Sequence, residues 1–430
     1  MPLDLPSYSA AVPAPKYSFE PACDEQRLQL TPQTSLARTP TGTFIKSSGK
    51  TTVVLLDQEE NAKNPSYGRR GPINGTILLE EPDAVTEVEI KIEGKLDTTI
   101  SEAGGNSTQI MKQRHVLYKR DASTSETCAG QLTFEFPLPS TFHDADTEHP
   151  LPPSYHVFCR GVPTLFLKTT YTIRVAVTRV VHQKLGGFWT RTKHILIPFD
   201  YVPRTRAHRP ILPVPAFFSS IKTSPEEWYQ ATSTVKTRDA TSSLTPIDVH
   251  TFIPAGRVYG IKDAIPFHIQ LSGRVSALRQ LFVSSMSLDR VASADSHRTV
   301  ESRVSLPESK PVIRVYLMRQ IALEFRGQKA WRNVVLGEGT LSSVPPLATS
   351  CYCPVSSTRE EHLDWEGELK CNEDVIAANF TIGKSTVKEF IIVSITPPLE
   401  AKSLLHDMQV SIPVRLVTDS YTEAPLPNSL

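Results

Sequence analysis

Apolar and polar residues alternate with a period of two at intervals along the whole chain. Val88, Ile90 and Ile92 alternate with Glu87, Glu89, Lys91 and Glu93, and Tyr171, Ile173, Val175 and Val177 alternate with Thr172, Arg174, Ala176 and Thr178. The pattern resumes at Ile313, Val315 and Leu317, and again at Val410, Ile412, Val414 and Leu416. This period marks strands with one buried and one wet face. It predicts further strands at Thr51–Leu56 (an edge strand), Ile73–Leu79, His115–Tyr118, around Leu132–Phe136, and at His194–Pro198. In the second half it predicts strands near Ala231–Thr237, Phe267–Leu271, Ile313–Leu323, Phe390–Ile395 and Val410–Leu416. Gly104-Gly105-Asn106 reads as a loop, Pro137–Pro153 as an irregular loop, and Gln280–Pro311 as a polar hairpin with a mobile loop. The fold class expected from this pattern is all-β: two antiparallel, immunoglobulin-like β-sandwich domains in tandem.

Proline sets the boundaries. Seven prolines fall within residues 1–40, where apolar periodicity is sparse, so residues 1–45 are expected to be a disordered segment. Four prolines and three arginines crowd 203–215, which reads as an interdomain linker at 204–216. The expected domains are therefore 46–203 and 217–420, with a short tail at 421–430.

Charge and cysteine content narrow the class of function. The 46 Lys and Arg nearly cancel the 45 Asp and Glu, so no overall field points to nucleic acid. No apolar run approaches the roughly 20 residues that span a bilayer, and Met1–Pro15 lacks the form of a signal peptide. The six cysteines are scattered, which suits free thiols in a reducing, cytoplasmic setting. In that setting the sequons at Asn74, Asn106 and Asn379 carry no glycan. There is no Gly-x-Ser-x-Gly elbow, His-Glu-x-x-His, phosphate loop or dinucleotide fingerprint, so no enzyme and no cofactor is expected. Cys351-x-Cys353, with His362 and Cys371, lacks the usual zinc spacing and reads as free thiols.

The order of several short segments resembles a known family. Gly75-Thr76-Ile77-Leu78-Leu79 leads into Val88–Gly94, followed by Leu132–Pro139, Leu151-Pro152-Pro153-Ser154-Tyr155 and the Tyr171 strand. Over about residues 50–200 this is similar to the N-terminal domain of the fungal alpha-arrestins, and Ala264–Ile269 resembles the start of the arrestin C-terminal domain. The resemblance implies the arrestin fold and a non-enzymatic cytosolic adaptor, peripheral at the plasma membrane or endosomes. Such adaptors link the cytoplasmic tails of membrane proteins to HECT-type ubiquitin ligases and to endocytic sorting. The alternative is a scaffold of the same fold that serves endosomal sorting without recruiting a ligase.

In that family a PPxY motif in polyproline II form docks on the ligase's WW domain. Leu5-Pro6-Ser7-Tyr8 is an LPxY variant in the Pro-rich segment and is the candidate WW ligand. Pro152-Pro153-Ser154-Tyr155 matches PPxY fully but enters a predicted strand, so Tyr155 reads as a packing residue. Asn64-Pro65-Ser66-Tyr67 reads as a turn. The strongest charge signal comprises Lys168, Arg174, Arg179, Lys184, Arg191, Lys193, Arg204, Arg206 and Arg209, against Asp200 alone. This basic region suits anionic lipids or acidic tails, unless carboxylates from elsewhere in the fold balance it. Arg174, opposite in parity to its apolar neighbours, is expected to face solvent.

Overall fold

The computed structural model describes residues 40–69, 71–121, 127–144, 147–182, 188–211, 217–239, 244–282, 312–344, 360–397 and 403–421. These form a mostly β, mostly antiparallel structure with two short helices. A four-stranded sheet has the order β1 (Gly42–Ser47), β2 (Thr51–Gln58), β4 (Pro72–Leu79), β7 (Gln131–Pro137). A six-stranded sheet runs β3 (Ser66–Tyr67), β12 (Phe188–Tyr201), β11 (Leu165–His182), β5 (Val85–Ile100), β6 (Gly104–Lys119), with β10 (Tyr155–Cys159) also on β11. A hairpin of β8 (Thr141–Asp144) and β9 (Thr147–Pro150) lies in the segment expected to be irregular.

The second half holds a ten-stranded sheet. Its path is β13 (Trp228–Val235), β14 (Ile247–Pro254), β16 (Ile265–Arg274), β19 (Glu360–Leu369), β18 (Gln328–Ser343), β17 (Ile313–Phe325), β21 (Ser385–Ile395), β22 (Met408–Val417) and β15 (Val258–Gly260). The short β20 (Phe380–Ile382) adds to β21. Helices α1 (Phe217–Thr223) and α2 (Val275–Phe282) have no counterpart in the period-two pattern. α2 covers Gln280, and 283–311 lies outside the described residues.

The alternation works as expected where it is longest. In β11 the side chains of Tyr171, Ile173, Val175 and Val177 are buried while Thr172, Arg174, Ala176 and Thr178 are not. Two expectations need correction. Thr51–Leu56 is an interior strand, because β1 pairs along its outer side; β1 itself falls largely within the expected disordered 1–45 segment. Gly104–Asn106 is the start of β6, zipped to Ile100–Thr98 of β5 rather than looped. Residues 204–211, read as linker, are tied down: Ala207 N donates to Asp419 O, and Thr205 exchanges hydrogen bonds with Thr418.

The described residues form one compact unit containing two hydrophobic cores. Three strands serve both, and in β18 Ala330 belongs to the first core and Leu336 to the second. In β17, Ile313, Val315 and Leu317 belong to the second core and Ile321 and Leu323 to the first. In β21, Ile391, Val393 and Ile395 belong to the second core and Val387 to the first. The residues between, Arg319 and Glu389, face each other in register at the junction.

The link between β18 and β19 depends on a close backbone approach. A Cβ on Gly367 would stand 1.8 Å from Thr340 O and 2.6 Å from the Phe267 ring. Gly367→Ala is therefore expected to destabilise the fold by about 1–3 kcal/mol through overpacking. Urea unfolding measures this; an unchanged midpoint would show that the two strands part without cost.

Candidate functional site

A cleft of about 1060 Å³ opens where the two cores meet. One wall comes from β10, β11, β12 and the approach to β3, the other from β17, β18, the 374–379 segment and the end of β22. Among the described residues β10 pairs along one edge only, with β11. Its register places Tyr155 opposite Thr169 and Val157 opposite Leu167. Cations Lys63, Lys168 and Arg415 and carboxylates Glu59, Asp200 and Asp374 share the lining with the exposed Ile376. Mixed charge beside an unpaired strand edge suits an extended polypeptide, whose main chain can continue the ladder.

Arg319, part of a buried ion pair, reaches the floor. Arg319 Nε and Nη2 lie 3.0 and 2.9 Å from Glu389 Oε1, and Nη2 also donates to Ala377 O at 2.6 Å. Both residues are almost wholly buried. The Arg319 guanidinium lies 5.8 Å from the centre of the Tyr155 ring, which packs edge-on against Phe380 at 5.3 Å. Tyr155 (β10) and Phe380 (β20) thus bring the two halves together over the pair. Burial pushes the Glu389 carboxyl up to about 6 even though Arg319 pulls it down. Burial likewise raises the Tyr155 hydroxyl and carries the nearby Cys371 thiol to about 11.

A second clasp closes one end. Arg204 grips Asp419 with both arms, Nη2 to Oδ1 at 2.6 Å and Nε to Oδ2 at 3.0 Å. The hydrogen bond from Arg204 holds the Asp419 carboxyl below its usual range. This is the bidentate form that orients as well as attracts.

The basic residues do not form one patch. Lys168 stands opposite Asp97 of β5, and the half-exposed Arg174 reaches toward Glu93, 3.8 Å away. Arg179 turns inward and donates to Lys50 O, Thr51 Oγ1 and Glu80 O, tying the two N-terminal sheets together. Arg204 is held in the clasp, and Arg206 forms a β-bridge to Asp419. Arg191, Lys193 and Arg209 are exposed, and Lys184 lies outside the described residues. On the outer face of β5, Glu89 already binds Lys91 at 3.0 Å and Arg114 at 2.7 Å.

The proline motifs separate by location. Pro152 and Pro153 are buried, and Pro152 O accepts a 2.6 Å hydrogen bond from Tyr171 Oη. This PPxY match is therefore a packing element. Tyr67 of the Asn64–Tyr67 segment is buried on Phe199, and Asn64 Nδ2 donates to Asp200 at 3.4 Å. Leu5, Pro6, Ser7 and Tyr8 lie outside the described residues, as do Cys351 and Cys353.

Sequence reasoning missed Arg319 and Glu389, yet both carry a signal. Each occupies the apolar phase of its strand, between Leu317 and Ile321 and between Val387 and Ile391. A charge in that phase requires a buried partner. It also missed the His268–Asp364 pair, 2.9 Å apart. Burial raises the Asp364 carboxyl, but hydrogen bonds from His268 and Gln270 outweigh it and carry it below its usual value. His268 stacks under Phe217 at 3.8 Å, so the pair anchors α1 on the sheet.

Among the described residues no cluster of His, Cys, Asp and Glu side chains could hold a metal ion, and no helix is long and apolar enough to cross a membrane. Neither a protein-family model nor a curated protein sequence matches the chain.

Proposed function

We propose that the protein is a non-enzymatic adaptor of arrestin-like architecture, with two antiparallel β-sandwiches in tandem. It binds the cytoplasmic tails of membrane proteins at the plasma membrane or endosomes and links them to a WW-domain, HECT-type ubiquitin ligase and to endocytic sorting. The observation that carries this reading is the cleft between the two cores, with the edge of β10 that no described strand pairs as one wall and Tyr155 and Arg319 at its floor. A peptide laid along β10 gains main-chain hydrogen bonds from the edge and discrimination from the charged lining. The order of the β-rich segments supports the family resemblance, and Leu5–Tyr8 supplies the ligase ligand.

Two binding experiments on the purified full-length chain test the two arms. In the first, an array of membrane-protein tail peptides is probed with wild type and with the double variant Lys168→Glu/Ile376→Asp. Wild type is expected to bind a subset of tails, and the variant to lose that subset. Failure of the wild type to bind any tail would reduce the cleft to a packing defect. In the second, an array of WW domains is expected to bind wild type but not Tyr8→Ala. Stable partner subunits without WW binding would instead mark an endosomal scaffold.

A further inference from the structure

The β11–β12 hairpin carries an arrangement that the cleft does not use. Residues alternate across β12, so Trp189, Arg191 and Lys193 project from one face, in line with buried Ile195, Ile197 and Phe199. The core ends before they do: Trp189 is 60% exposed, and Arg191 and Lys193 are exposed. Opposite them in register on β11 stand Val181, Arg179 and Val177. Arg191 therefore faces Arg179 directly, a like-charge cross-strand pair that costs stability in isolation. The Lys193 ammonium lies against Gly49 in the β1–β2 turn, next to Lys50. Lys50 has a partner in Glu81, and Arg179 is turned onto backbone carbonyls. Arg191 and Lys193 have no carboxylate at ion-pair distance among the described residues. Neither β11 nor β12 contains an acidic residue before Asp200.

We infer that the Trp189, Arg191 and Lys193 face of β12 is a docking surface for an anionic lipid bilayer. The Trp189 indole sits at headgroup depth, and Arg191 and Lys193 contact lipid phosphates and carboxylates. Tryptophan favours the membrane interface because its ring is apolar and its N–H polar. Each basic side chain near an anionic leaflet adds attraction that falls off within a Debye length. A protruding indole with cations behind it on a ladder, rather than in a groove, fits a planar partner better than a peptide. The inference rests on the adaptor reading for the presence of a bilayer. Vesicle binding is measured without peptide, so its failure is distinct from failure of the cleft.

The test is cosedimentation of the full-length protein with phosphatidylcholine vesicles, with and without phosphatidylserine. Wild type is expected to bind the phosphatidylserine vesicles and to release as salt rises. Arg191→Ala and Lys193→Ala are each expected to weaken binding by about fivefold, and by about 25-fold together. Trp189→Ala is expected to remove the vesicle-induced blue shift of indole emission. Thr190→Ala and Thr192→Ala, on the opposite face of the same strand, are expected to bind like wild type. Equal sedimentation with neutral vesicles would overturn the inference, as would unchanged binding of the Arg191→Ala/Lys193→Ala variant. Binding of a soluble phosphopeptide at these residues in place of vesicles would reassign the surface to protein tails.

Discussion

Replacing Arg319 with methionine is expected to destabilise the protein by about 3–5 kcal/mol at neutral pH, because it strands a buried carboxylate. Arg319 supplies two contacts to Glu389 and one to Ala377 O, and no other cation touches this carboxylate among the described residues. The pH dependence carries the diagnosis. In the wild type the Glu389 carboxyl titrates near 6 in the folded chain, above its ordinary 4.5. Between those values the folded state holds more protons than the unfolded state. This group's contribution to stability therefore grows as pH falls through that window and diminishes as pH rises. Without Arg319 the carboxyl moves higher still, so the charge-dependent part of the Arg319→Met defect is expected to be largest above pH 6 and to fade as pH falls towards 6. Urea unfolding across pH 5 to 8 gives the profile, and Arg319→Met/Glu389→Leu should recover most of the loss. A loss that is constant with pH would mean that packing, not a stranded charge, explains the effect.

Tyr171→Ala is the second large effect expected, at about 3–5 kcal/mol. The ring lies between Phe199 and Tyr201, with centroids 5.5 and 5.4 Å away, and Gly94 stands opposite it in register. That glycine makes room: a Cβ there would come within 2.8 Å of the ring. Tyr171→Phe keeps the packing but removes the only donor to Pro152 O among the described residues, and is expected to cost about 1–3 kcal/mol. Burial also holds the hydroxyl protonated well beyond its ordinary range, so this group adds no pH dependence to unfolding below alkaline pH. Denaturation midpoints of the two variants separate ring from hydroxyl. If Tyr171→Phe were as damaging as Tyr171→Ala, the hydrogen bond would dominate the site.

The strands visible in the sequence were those with one wet face. β5, β11, β17 and β22 show clean alternation because their outer faces meet solvent. β18 and β19 were missed because Gly337, Gly339 and Gly367 interrupt the pattern, and those glycines are there to let backbones approach. β8 and β9 are too short for periodicity to register. For the candidate site, local sequence identified Tyr155 as a packing residue but not what it packs against. Arg319 and Phe380 lie far along the chain, and only the folded register brings them to it. The basic run is divided among several surroundings for a related reason. Neighbouring strands, which a linear reading cannot see, bring Glu93 and Asp97 beside it, and the clasp at Asp419 takes Arg204.

The sharing of β17 and β21 between two cores bears on how such a chain can be cut or recombined. Severed in the Pro-rich 203–215 stretch, the N-terminal portion would lose Ile321, Leu323, Ala330, Ile382 and Val387 from its interior. Its remaining apolar surface would open where those side chains had been, and the detached portion would present the same side chains to water. The N-terminal piece alone would be left with an incomplete interior, whereas every buried member of the second core lies beyond the cut.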